Sequence, residues 1–145
     1  MIWRLAVNNE TTLAIVKPDA FGKGKAGLIL AHLEAEGFEL VAARIARLRE
    51  VDARAFYAVH SERPFYGSLV EFMTSGPCMP IALQRENAVA HLRNVIGATD
   101  PAEAAAGTVR ALFAESKERN AIHASDSVEN AAAEVSFFFA GIDLI

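Results

Sequence analysis

Four short apolar runs limit what this chain can fold into. They cover residues 12–16, 38–48, 78–83 and 121–124, and stretches with helical spacing separate most of them. Residues 12–16 are β-branched and apolar, the pattern of a buried strand. They stop at Lys17-Pro18, where proline cannot donate to a ladder and holds the residue before it extended. Leu28, Ala31, Leu33 and Ala35 lie in a helical segment that closes at Gly37, a fitting residue just past a helix end. Partial alternation from Phe38 onward predicts a second, long strand. Residues 51–59 predict a helix with Phe56 and Val59 in the core, and Pro64 opens another over residues 65–73. In the third run, Pro80 predicts an edge position or a bulge. Residues 86–96 predict a helix that buries Ala88, Val89, Leu92 and Ile96 and leaves Arg93 off that stripe. Residues 97–120 are Ala-rich with little periodicity, and a long irregular connection in a compact domain is usually functional. The alternation predicts one sheet with helices packed on it, in one domain. The order of the strands is not legible.

The last run leads into Asn120-Ala121-Ile122-His123-Ala124-Ser125-Asp126-Ser127. Asp126 followed by Glu129 has the spacing of a helix N-cap with a back-reaching carboxylate. Behind it, Val128, Ala132, Val135 and Phe139 recur at helical spacing. His123 is therefore expected at the end of a short strand, just before a helix turns the chain away. Imidazole is the one side chain that, unperturbed, titrates close to neutral pH, and it can carry a covalent intermediate. The plain alternative is a polar residue in a strand-to-helix turn. Lys17 has a similar pair of readings. At a strand end before a loop with Gly22 and Gly24 it suits an anion contact, and its alternative is a solvated lysine. The loop lacks the GxxxxGK[ST] pattern of a P-loop.

The rest of the composition excludes classes. A net charge of −4 argues against a general nucleic-acid or anionic-membrane binder, so any phosphate chemistry needs positive charge gathered locally. Apolar runs are broken by charge or glycine, so no segment is expected to span a membrane. The first ten residues are too short and too polar for a secretion signal. Cys78 is the only cysteine and is expected as a small buried side chain. Together these favour a cytoplasmic protein. No His/Cys/Asp/Glu cluster has metal-ligand spacing, so no metal held by protein alone is expected. His32 and His91 fall on helices, and His60 falls near the expected pocket without a paired motif.

The ordered set of motifs resembles the nucleoside diphosphate kinase family. Its strongest element is Asn120-x-x-His123-x-Ser125-Asp126-Ser127, against the family's N-x-x-H-G-S-D-S. Supporting it, in order, are Lys17-Pro18-Asp19-Ala20, Arg63-Pro64-Phe65-Tyr66, Thr74-Ser75-Gly76-Pro77, Gly97-Ala98-Thr99-Asp100-Pro101 and Gly107-Thr108-Val109-Arg110. The resemblance runs from about residue 11 to residue 139 and leaves residues 1–10 as an N-terminal extension. It implies an α/β (α+β) ferredoxin-like sandwich, a four-stranded antiparallel sheet covered by helices. It implies transfer of the γ-phosphate of a nucleoside triphosphate to a nucleoside diphosphate, ping-pong through a phosphohistidine, with Mg²⁺ on the nucleotide phosphates. By the same resemblance His123 is the nucleophile, and Glu134 and Ser125 orient its ring. Lys17, Arg93 and Arg110 are the phosphate cations, and Thr99 is a hydroxyl donor. Tyr57 stands beside the terminal phosphate, Phe65 stacks the base, and Asn120 with Lys17 reads the sugar hydroxyls. A π-face accepts any base, which suits a broad nucleotide range. A homo-oligomer, tetramer or hexamer, is also implied.

The chain departs from the family pattern at a few positions. Ala124 stands at a usual glycine, which would cost about 1 kcal/mol or more if the position needed positive φ. Leu112 replaces a usual aspartate, Ser68 stands where glycine is common, and Pro80 and Arg85 are unusual around the third strand. None removes a group assigned to chemistry. Two other readings keep the fold: a nucleotide-binding member without catalysis, and a histidine relay to other proteins. The intact set of motif side chains argues against the first.

Overall fold

The computed structural model describes residues 9–144. The proposed N-terminal extension lies outside the described residues as far as residue 8, and Asn9 and Glu10 already belong to the first strand. Four strands, β1 (Asn9–Val16), β2 (Glu39–Ala43), β3 (Met79–Glu86) and β4 (Ile122–Ala124), form one sheet in the order β2-β3-β1-β4. Every neighbouring pair is antiparallel. This is the four-stranded ferredoxin-like α/β sheet.

The β-branched run after Asn9 takes the centre because it can be buried on both faces. Leu13, Ala14, Ile15 and Val16 are all fully buried. Alternation sends them to opposite sides. Ala14 and Val16 join Ile29 and Leu33 of α2 (Ala26–Ala35) and Leu92 and Ile96 of α5 (Ala88–Ile96). Leu13 and Ile15 join Ala53 of α3 (Glu50–Phe56), Val70 and Met73 of α4 (Tyr66–Met73), and Val135 and Phe138 of α7 (Val128–Phe138). Two shorter α-helices, α1 (Pro18–Gly22) and α6 (Val109–Phe113), and two 3-10 turns, Ala58–His60 and Gly141–Asp143, complete the regular structure among the described residues. Cys78 is fully buried, and burial pushes its thiol up to about 11.

Several expectations change. The second strand ends at Ala43, after a register shift between Leu40 and Ala42, and only a bridge from Ala46 to Cys78 prolongs it. Pro80 lies on β3, which is interior rather than at the edge. Its carbonyl accepts from the Arg44 amide at 3.2 Å, but proline cannot return a bond to the Arg44 carbonyl, and β2 leaves the regular ladder there before Ala46 and Cys78 pair again. Val59 is not core: α3 stops at Phe56 and Val59 is 81% exposed, while Tyr57 takes the buried place. Ser127, not Asp126, caps α7, its hydroxyl accepting from the Asn130 amide at 3.0 Å. Asp126 instead accepts from the Asn130 side chain at 2.6 Å. With the start moved by one residue, the buried stripe is Ala131, Val135 and Phe138, and Val128 and Ala132 face outward. Within residues 97–120, Thr108 caps the short α6 through its side chain, a cap the Ala-rich composition hid.

Ala124 lies in β4 without positive φ, so its methyl group is tolerated there; Ala121, three residues earlier, carries a φ of 74°. The Ile122 amide donates to the Asn120 carbonyl at 2.9 Å, which makes Ala121 the centre of a γ-turn of the rare positive-φ kind. Its strain is held from both sides. The Ala121 amide donates to Asp19 Oδ2 at 3.0 Å, and its carbonyl accepts from the Lys17 amide at 2.9 Å.

Candidate active site

That γ-turn joins the two chain segments that carry the chemistry. β1 ends at Val16, just before Lys17, and β4 runs antiparallel beside it with His123 opposite Ile15. The Lys17 ammonium donates to Asn120 Oδ1 at 2.8 Å, and the Asn120 amide reaches the Thr99 carbonyl at 3.4 Å. Lys17 and Asn120 are both buried. A buried lysine is costly to keep charged. Burial, and then the nearby Arg110, bring its pKa down to about 8, against the raising influence of Asp19 and Glu118.

Arg110 comes from α6, which Thr108 starts. Its guanidinium donates to the Gly97 carbonyl at 3.1 Å and to the Ile122 carbonyl at 2.8 Å. Gly97 makes this approach possible. At its φ of +88°, a Cβ there would lie 2.5 Å from Thr108 Oγ1. Burial and the neighbouring Arg93 lower Arg110 to about 10, so it stays charged at neutral pH. Arg93 leaves the buried stripe of α5, as expected, and donates to the Ala124 carbonyl at 3.3 Å. Among the described residues, five buried side-chain atoms have no hydrogen-bond partner; Thr12 Oγ1, Asp19 Oδ1 and His91 Nε2 belong to residues off the cleft, and Tyr57 Oη and Arg110 Nε to residues on it. Unpaired buried polar groups are rare. A polyanion in the cleft would satisfy Tyr57 Oη and Arg110 Nε.

His123 is held from several directions. Its Nε2 lies 2.6 Å from Glu134 Oε1, and Ser125 donates to the same carboxylate oxygen at 2.9 Å. Glu134 is placed by α7, about two turns after the Ser127 cap. Nε2–H donating to a carboxylate leaves Nδ1 as the lone-pair nitrogen. Among the described residues Nδ1 makes no hydrogen bond. Burial lowers the His123 pKa below its usual 6.5; the Glu134 hydrogen bond and charge oppose this, and Lys17 and Arg110 add to it. The ring is thus neutral at pH 7.

Lys17, Tyr57, Phe65, Arg93, Thr99, Arg110, Asn120, His123 and Glu134 all line one cleft of about 750 Å³. Of the expected site residues only Ser125 is off its wall; it is fully buried behind Glu134. Phe65 is 46% exposed at the N-terminal end of α4, suited to receive a flat group. The cleft also includes His60, Lys117, Glu118 and Phe56, which the sequence reading left outside the site. His60 had a weak signal, three residues after Tyr57; the others carry no local pattern. Glu118 is tied across the cleft by Ser68, which donates to it at 2.7 Å. Arg85, another departure from the family pattern, donates to the Glu36 carbonyl at the end of α2 at 2.5 Å, away from the cleft. Leu112 is an exposed side chain on α6.

Among the described residues, no group of three or more His, Cys, Asp or Glu side chains could hold a metal ion. The donor set suits a Mg²⁺ that arrives on phosphate oxygens and asks little of the protein. No helix among the described residues is long and apolar enough to cross a membrane.

Comparison with known proteins agrees with this geometry. Residues 10–144 match the family model described as nucleoside diphosphate kinase. A nucleoside diphosphate kinase of Chlorobaculum parvum is 57% identical over 136 residues, covering 94% of this chain and 97% of that protein. One from Campylobacter curvus is 55% identical over 135 residues, 93% of this chain and 98% of its own. Among solved structures, the Aquifex aeolicus nucleoside diphosphate kinase superposes with a TM-score of 0.93 at 46% identity, over 94% of this chain and 99% of that one. A halophilic nucleoside diphosphate kinase from Halobacterium salinarum, in complex with CDP, gives 0.90 at 34% identity, over 94% and 91%.

Proposed function

The chain belongs to the nucleoside diphosphate kinase family and is an enzyme of that kind; from this premise we propose that it works by two half-reactions through a phosphohistidine at His123. In the first, the Nδ1 lone pair attacks the γ-phosphorus of a nucleoside triphosphate. An N–P bond forms as the bond to the β–γ bridging oxygen breaks, and the nucleoside diphosphate leaves with that oxygen. In the second, a terminal oxygen of another diphosphate attacks the same phosphorus and frees the imidazole. The observation that carries this reading is the pairing of Nε2 with Glu134 at 2.6 Å, which leaves the second nitrogen unpaired in a cation-lined cleft.

Phosphoryl transfer passes through a loose transition state, so catalysis is mainly positioning and charge compensation. Lys17, Arg93 and Arg110 supply positive charge, and Thr99 and Tyr57 supply hydroxyl donors. Glu134 balances the positive charge that grows on the ring. A Mg²⁺ bound through the nucleotide phosphates would neutralise part of their charge. Lys17 and Asn120 meet the sugar, and Phe65 stacks the base without reading its edges, which supports broad base specificity. The CDP bound by the halophilic relative supports a nucleotide in this cleft. The enzyme acts as a single domain over residues 1–145, in the cytoplasm, as a homo-oligomer, tetramer or hexamer.

The test is transfer of label. Protein mixed with γ-³²P-ATP should take up acid-labile phosphate and lose it on addition of a different diphosphate; His123→Ala should take up none. An unlabelled wild-type protein, or label persisting in His123→Ala, overturns the mechanism.

A further inference from the structure

His123 is also held by aromatic rings, and one of them has no assigned part in the reaction. Phe56 ends α3 and lies half-buried on the cleft wall. Its ring stands 5.3 Å from that of His123 at an interplanar angle of 70°. It also meets Tyr57 at 4.9 Å, Phe137 at 5.3 Å and Phe138 at 5.1 Å. Phe56 is thus the hub of an aromatic cluster with the imidazole on its inner side. On its outer side is Phe137, which lines the cleft and is 43% exposed. Tyr57 meets the imidazole from another direction, at 6.0 Å and 84°.

Tilted and edge-on ring pairs hold both partners in orientation, because the ring quadrupoles favour such angles over free rotation. Glu134 fixes one atom of the imidazole, and a single hydrogen bond still permits the ring to rock about it. Phe56 removes that freedom, and with Phe137 it covers the flank of the imidazole that leads outward. We infer that Phe56, backed by Phe137, is a positioning residue that sets the plane of the His123 ring and shields its phosphorylated form from water. The inference rests on the phosphohistidine reading above. The reaction it suppresses is hydrolysis: a water oxygen bonds to phosphorus as the Nδ1–P bond breaks, giving inorganic phosphate and free imidazole.

The test isolates the labelled enzyme, free of nucleotide, and follows its decay to inorganic phosphate, alongside kcat and KM for transfer. Phe56→Leu should hydrolyse several-fold faster than wild type. Its kcat should fall roughly three- to tenfold, the kinetic equivalent of one lost aromatic pair, with KM held within about twofold. Phe56→Tyr should restore both. Phe137→Ser, a change at a partly exposed position, should speed the decay without lowering kcat as far, and it decides the matter if Phe56→Leu fails to fold. A wild-type protein that takes no label rejects the phosphohistidine mechanism itself. A wild type that labels normally, with variants that decay and turn over as it does, rejects this role for Phe56. A parallel loss of kcat and rise of KM in Phe56→Leu, unrescued by tyrosine, also overturns it, as that is the signature of a loosened pocket.

Discussion

Two ionisable side chains bound the pH range in which the cleft can work, and they do so from opposite sides. In the proposed mechanism, attack needs the neutral imidazole. Burial holds the His123 pKa below 6.5, so the acid limb of kcat/KM should lie below pH 6.5. Glu134→Gln removes a charge that raises that pKa, so the limb should move further to acid. It also weakens the charge-assisted bond that fixes the tautomer, and kcat should drop about ten- to hundredfold. A pH–rate profile of the two proteins checks both. On the alkaline side Lys17 loses its proton near pH 8 in the free enzyme, so kcat/KM should decline above that value. The same shift has a stability consequence. Between about pH 8 and 10.5 the unfolded chain binds a proton at Lys17 that the folded chain has lost, so this residue's contribution improves as pH rises. In urea unfolding, the wild type should gain on Lys17→Met across that window; a gap that stays constant or widens against it contradicts the assignment. At this scale much of the cleft lining was legible: Lys17, Phe65, Thr99, Arg110, Asn120 and His123 sit in short motifs, and the family resemblance supplied Tyr57, Arg93 and Glu134, which stand outside them. Phe56, Lys117 and Glu118 were not. They reach the cleft only because α3 and the connection before Asn120 fold against it, and adjacency in space leaves no local pattern.

Two elements bring Glu134 and Arg110 to the cleft, and each depends on one small residue. α7 carries Glu134 and starts at Ser127. Ser127→Ala should cost about 1 kcal/mol, and Asp126→Ala clearly less, by thermal or chemical unfolding. The reverse order would restore Asp126 as the cap. The connection after α5 carries Arg110 and turns on Gly97. Gly97→Ala sets a methyl group against Thr108 at a positive φ, so a loss of about 2 kcal/mol or more is expected, with weaker diphosphate binding as Arg110 shifts. Calorimetry of Gly97→Ala with a diphosphate checks this; unchanged stability would mean the loop yields freely. The strands and longer helices were legible from periodicity, whereas α1, in what reads as a loop, and α6, in the Ala-rich connection, are too short to show one. Element ends were less legible, since one residue in the α7 cap rotates the whole buried stripe. Pro80 misled for a related reason: whether a missing N–H matters depends on what lies opposite, which is tertiary.

For the molecule as a whole, a chain of net charge −4 brings four cations, Lys17, Arg93, Arg110 and Lys117, to one cleft. A ligand that binds only this folded cleft must stabilise everything around it. A nucleoside diphosphate with Mg²⁺, at about a hundredfold over its Kd, should add about 2.7 kcal/mol to stability. Arg110→Ala should lose most of that gain, and added salt should erode it. A melting temperature indifferent to the ligand would contradict the cleft assignment. The antiparallel order β2-β3-β1-β4 could not be read from periodicity, which specifies faces but not neighbours. The family resemblance implied an antiparallel four-stranded sheet, and the order itself follows from the pairing registers.

Strand β4 is three residues long, and His123 is bonded into the sheet opposite Ile15, which is wholly enclosed. So short a segment has no independent existence; it survives only as long as its neighbour does. Its amides should therefore exchange with heavy water only when the entire protein opens, as slowly as those of β1. Phosphotransfer should then vanish on the same denaturation curve as the far-ultraviolet circular dichroism, with no inactive but folded species in between.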